Sequence, residues 1–124
     1  MEHAINWFEI PAANFQRATK FYNTVLNAQM QTTKMGDSEL AFLPREQQGV
    51  GGAIAKQPGH QPGPNGPLIY LNVTGRFDEV MARIEPAGGK VIQPKTLVTD
   101  EIGYIAVFVD TEGNHVALHA EKKA

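Results

Sequence analysis

The sequence predicts an α+β fold: two βαβββ modules forming a curved, mostly antiparallel eight-stranded sheet, with the helices outside. Three observations predict it. An amphipathic helical stripe occurs twice, and each stripe follows one strand-like run and precedes three more. The stretch Pro58–Pro67 (PGHQPGPNGP), with four of the eight prolines, separates the two halves. It can supply few ladder hydrogen bonds and reads as an extended, mobile connector. The expected organisation is one domain over residues 1–124, with module one at about 1–57, the connector at 58–67 and module two at about 68–124.

Each half opens on a strand, Ala4–Ile10 in the first and the nearly all-apolar Leu68–Val73 in the second. The first helix places Phe15, Ala18, Tyr22 and Val25 on one face, with Phe21 and Leu26 widening it. Asn14 suits its N-cap, and Asn27 tolerates the left-handed conformation that ends many helices. The second helix repeats the spacing with Phe77, Val80, Met81 and Ile84. Thr74 or Gly75 begins it, and Pro86 with Gly88 and Gly89 stops it. The remaining strands are expected at Ala28–Thr33, Glu39–Leu43 and Gly52–Lys56, then at Lys90–Val98, Ile102–Val109 and His115–Ala120. Asp110–Asn114 supplies the turn of the last hairpin. A helix with one apolar stripe covers one face of a sheet, which leaves the concave face as the natural ligand site.

Composition narrows the function. The 124 residues carry a formal net charge of −2 with both signs interspersed, so nothing marks a nucleic-acid or anionic-membrane partner. Zero cysteines remove disulfides, a thiol nucleophile and any Cys-based metal centre. No apolar run approaches the roughly 20 residues of a spanning helix, and MEHAINWFEI lacks the regions of a signal peptide, so a cytoplasmic protein is expected.

Three motifs in order resemble one family. Ile5–Tyr22, with its Arg17-Ala-Thr-Lys-Phe21-Tyr22 helix, is similar to the opening of vicinal oxygen chelate domains. Phe108–Leu118 resembles the family's closing hairpin, with Thr111 where proline is usual, and Ala87–Val91 resembles the turn after the second helix. The resemblance spans essentially the whole chain and points to the small glyoxalase-like members. The superfamily includes glyoxalase I, extradiol dioxygenases, fosfomycin-modifying enzymes and bleomycin-binding proteins. It implies the fold above, a small organic ligand and a homodimer.

The resemblance also implies where metal ligands would stand: Trp7, Gly52 or Ala53, Leu68 and Ala117. None of these can donate an electron pair to a divalent ion, which needs about three protein ligands. No metal and no cofactor are therefore expected. Two residues along each strand, on the same face, stand Glu9, Tyr70 and His119. With Trp7 they are the candidate ligand-binding residues. Glu9 and His119 are also candidates for acid–base catalysis; the plainer alternative is that they bond each other or water at a dimer seam. Trp7 is either core or a wall of the site, and its N–H needs a partner if buried.

Other signals carry less. His115 and His119 have a helical zinc spacing but fall on a strand, where their Cα atoms lie roughly 13 Å apart. Gly49-Val-Gly51-Gly52 lacks the rest of a phosphate loop and reads as a site of close approach. Asp110–Asn114 lacks calcium-loop spacing, His60 is expected exposed, and Lys122-Lys123 is expected to be a solvated tail. Two functions compete: a metal-free domain that binds a small organic molecule, and a metal-independent enzyme (lyase, isomerase or transferase type) using Glu9 or His119 as acid or base. Metal-dependent glyoxalase or dioxygenase chemistry comes third.

Overall fold

A computed structural model describes residues 3–46 and 48–122; Met1, Glu2, Gln47, Lys123 and Ala124 fall outside the described residues. The order is β1 (Trp7–Pro11), α1 (Phe15–Val25), β2 (Thr32–Met35), β3 (Ser38–Phe42) and β4 (Gly51–Lys56). Then come β5 (Ile69–Asn72), α2 (Phe77–Ile84), β6 (Lys90–Thr99), β7 (Gly103–Val109) and β8 (His115–Ala120). This is the βαβββ pattern twice, an α+β fold.

The eight strands divide between two four-stranded sheets, ordered β1-β4-β3-β2 and β5-β8-β7-β6. In each sheet the first strand joins its neighbour in parallel, while the other pairs are antiparallel. Both sheets share one core. Phe21 and Tyr22 of α1 sit edge-on to each other, with ring centroids 4.9 Å apart, and both meet Phe108 of β7 at 6.0 and 6.4 Å. The first helix thus packs on the second module's sheet and fastens the halves together. A smaller buried cluster of Leu40, Ala53 and Ala55 lies on the other face of the first sheet, the face that carries Trp7 and Glu9.

Local signals placed the elements where the physics is local. Asn14 caps α1, its Oδ1 accepting the Arg17 N–H at 3.0 Å, and Asn27 ends the helix with φ 51°. Two expectations shift. The strand expected from Ala28 begins at Thr32, because Ala28 and Met30 donate their N–H groups to the backbone carbonyl and Oδ1 of Asn23. Residue Arg76, without a side-chain cap bond, precedes α2; the Thr74 hydroxyl instead accepts the Glu121 N–H at 3.0 Å.

The Asp110–Asn114 turn is a hub for the whole fold. Buried Asp110 accepts from the Glu112 and Asn114 N–H groups through Oδ1, and from the Tyr22 hydroxyl (2.7 Å) and Asn114 Nδ2 through Oδ2. Asn114 Nδ2 also donates to the Pro11 carbonyl at the end of β1. Glu112 reaches back to α1, accepting from the Ala13 and Asn14 N–H groups and from Arg17, whose Nε lies 2.7 Å from Oε2. Burial works to raise the Glu112 pKa, but the bonds from Arg17 and the α1 amides prevail and hold it below the usual carboxylate range. Burial also raises the Tyr22 hydroxyl well above its ordinary value, and the Asp110 carboxylate pushes it the same way.

Candidate functional site

The inner edge strands β1 and β5 flank a pocket of about 570 Å³. Its walls are Glu9, Ile10 and Pro11 of β1, Ile69 of β5, residues 114–116 at the start of β8, and the connector over residues 60–67. The connector is tied down here: Asn114 Oδ1 accepts the Gly63 N–H at 3.0 Å. His60, expected to be exposed, is half-buried and lines the pocket because the connector folds across it.

A chain of side chains runs along this edge. Trp7, 41% exposed, donates its indole N–H to Glu9 Oε2 at 3.2 Å. Gln57 Nε2 donates to Glu9 Oε1 at 2.6 Å and lies 3.3 Å from His60 Nδ1. An amide nitrogen has two protons to give and none to take, so this arrangement uses the Nδ1 lone pair of His60 and leaves the imidazole proton on Nε2. Both carboxylate oxygens of Glu9 are thereby engaged and its orientation is fixed. The indole and the Phe42 ring meet edge to face, 6.0 Å between centroids.

Glycines give these rings their room. A Cβ on Gly51 would stand 2.8 Å from both the Trp7 ring and the Arg45 guanidinium, and one on Gly52 would stand 2.4 Å from the Phe8 ring. The close approach expected at this Gly-rich piece is therefore made by side chains of the same module.

The candidates from the sequence are not all brought together. Trp7 and Glu9 are bonded neighbours. Tyr70, 49% exposed, lines a different hollow of about 900 Å³. His119 directs Nε2 to the Ile102 carbonyl and lines neither pocket. Among the described residues, no group of three or more His, Asp or Glu side chains is placed to hold a metal ion. No local pattern in the sequence marks Gln57, or the pocket-facing His60 and His115, as site residues. Gln57 follows β4 directly, and only the parallel pairing of β4 with β1 brings it to Glu9, 48 residues away.

The family model described as the Glyoxalase/Bleomycin resistance protein/Dioxygenase superfamily matches residues 4–118. No curated protein sequence matches the chain. Among solved structures, the chain is similar to the genomically encoded fosfomycin resistance protein FosX from Listeria monocytogenes: 18% identity, 96% of this chain and 91% of that one covered, TM-score 0.69. It is also similar to a glyoxalase/bleomycin resistance protein from Albidiferax ferrireducens T118, at 14% identity, 96% and 99% coverage and TM-score 0.66. Against a V278E glyoxalase I mutant from Zea mays the identity is 15%, with 94% of this chain and 45% of that one covered and a TM-score of 0.68. At these identities the likeness is one of fold.

Proposed function

We propose a function from one premise: the chain belongs to the Glyoxalase/Bleomycin resistance protein/Dioxygenase superfamily. The reading is a glyoxalase-like domain with a degenerate metal site, which binds a small organic molecule in the pocket beside Trp7 and Glu9. The observation that carries it is the fixed series Trp7–Glu9–Gln57–His60 at the edge of a pocket whose volume suits a small ligand. Pre-oriented polar groups on apolar walls recognise a ligand without first being ordered.

The residues do not fit a divalent ion. At the four positions implied by the family stand an indole, glycine or alanine, leucine and alanine, and the adjacent Glu9 has both oxygens bonded to Trp7 and Gln57. The proposed binding therefore uses no metal and no other cofactor. Equilibrium dialysis against nickel, zinc and manganese with elemental analysis should recover no stoichiometric ion; one tightly held ion per chain overturns the metal-free reading. Ligand screening by Trp7 fluorescence should find compounds whose signal weakens in Glu9→Gln. Binding undiminished in that variant means that Glu9 does not contribute to holding the ligand.

A second reading, metal-independent acid–base catalysis, is favoured by one observation: Glu9, His60 and His115 line the same pocket. It predicts turnover of a bound compound that is lost in Glu9→Gln while binding is largely retained. Of the other candidates, Tyr70 would act from the neighbouring hollow, and His119 only after releasing the Ile102 carbonyl. The proposal includes a homodimer acting in the cytoplasm. The exposed apolar side chains Ile5, Trp7, Leu68 and Tyr70 on and beside the inner edge strands support the dimer. A monomer by light scattering at micromolar concentration counts against it.

A further inference from the structure

The second hollow, about 900 Å³, lies at the other end of the gap between the modules and shares only Ile69 with the first. Its apolar lining includes Phe8, Leu26, Leu43 and Leu71. Two guanidinium groups stand in it: Arg45, from the loop between β3 and β4, and Arg76, just before α2. Each is anchored by a single backbone carbonyl. Arg45 Nη1 donates to the Gly49 carbonyl at 3.1 Å, and Arg76 Nη1 donates to the Leu26 carbonyl at 2.8 Å.

Neither arginine has a carboxylate partner among the described residues. The three ion pairs there are Arg17–Glu112, Lys95–Asp78 and Lys122–Asp100, and Glu46, which also lines the hollow, joins none of them. A guanidinium carries five N–H donors, so each arginine keeps four beyond its anchor. Two oriented cations over an apolar floor, contributed by opposite modules, match one ligand chemistry. It is an organic anion with an apolar body, its head bonded by the arginines and its tail against the leucines.

We propose that this hollow is a second ligand site, for an amphipathic organic acid such as an aliphatic carboxylate. The anchors set each fork in place before the ligand arrives, and ligand seated between Arg45 and Arg76 bridges the two modules. The assignment stands apart from the pocket beside Glu9 and holds whether or not that pocket binds anything.

Isothermal titration of the full chain with decanoate, below its micelle concentration, tests it. Decanol serves as the uncharged arm, and inorganic phosphate as the headgroup-only arm. Saturable binding of one decanoate per chain is expected, with decanol at least about tenfold weaker and phosphate weaker still. Arg45→Gln and Arg76→Gln should each weaken decanoate about tenfold, while Lys34→Gln, an exposed charge outside the hollow, leaves it unchanged. Arg76→Gln also gives up the Leu26 bond, so if that variant melts early, Arg45→Gln decides alone. Absent or non-saturating decanoate binding overturns the proposal. So does decanol binding as tightly as decanoate, phosphate matching decanoate, or an Arg45→Gln affinity equal to wild type.

Discussion

At one side of the first pocket, the Asp110–Asn114 turn commits its polar side chains to backbone groups and to the side chains of Tyr22 and Arg17, from β1 and α1 to the connector. Elsewhere on the rim, Trp7, Glu9, Gln57 and His60 bond one another at a partly exposed edge. The first cluster holds strands and helix in place, so its bonds have no replacement once broken. The second fixes only its own geometry, and water can take over what it loses. Polar groups of the first kind report on folding, and those of the second on what the protein recognises.

The largest loss is expected at Asp110. Asp110→Ala leaves the Tyr22 hydroxyl, Asn114 and two turn amides short of their acceptor, and should cost about 3 kcal/mol in urea unfolding. A loss below about 1 kcal/mol would mean the turn is not a keystone. Gly52→Ala tests the packing under the other cluster. Its methyl group would drive into the Phe8 ring at 2.4 Å and should cost about 2 kcal/mol by thermal melt.

Acid sharpens the contrast. The Glu112 pKa is lowered in the folded state, so its contribution is fully present above the ordinary value of 4.5. That contribution is lost as the pH falls through the lower folded value. Glu112→Gln should lower stability by about 1 kcal/mol at neutral pH and flatten the acid limb of the stability curve. An unchanged limb in that variant would assign acid sensitivity elsewhere. At high pH the sign reverses. The raised Tyr22 pKa lends stability that is complete below 10 and is lost as the pH climbs toward the folded value, so Tyr22→Phe should blunt alkaline unfolding. The smallest effect belongs to the recognising edge. Glu9→Gln should move the melting free energy by less than about 0.5 kcal/mol while changing Trp7 emission, since the indole loses a charged acceptor.

What the sequence made legible follows the reach of each interaction. The helical stripes, the Asn14 cap, the Asn27 terminus and the Asp110–Asn114 turn depend on residues within a few positions, and all stand where expected. The candidate pair Trp7 and Glu9 was legible for the same reason, being two residues apart on one strand. The division into two sheets was not. It depends on β1 and β5 leaving their inner edges unpaired, which no local pattern records. Gln57 with Glu9, Arg17 with Glu112 and the pocket-facing turn of His60 are products of tertiary pairing across 48 to 95 residues or of the connector's path.

The connector's hydrogen bond from Gly63 to the Asn114 side chain has an evolutionary consequence. One flank of the cavity is a proline-rich span pinned at a midpoint, so residues could be added or removed on either side of the pin without disturbing a ladder bond or a core contact. Descendants of this chain can retune the size and chemistry of what they hold by editing that flank, while the framework beneath stays as it is.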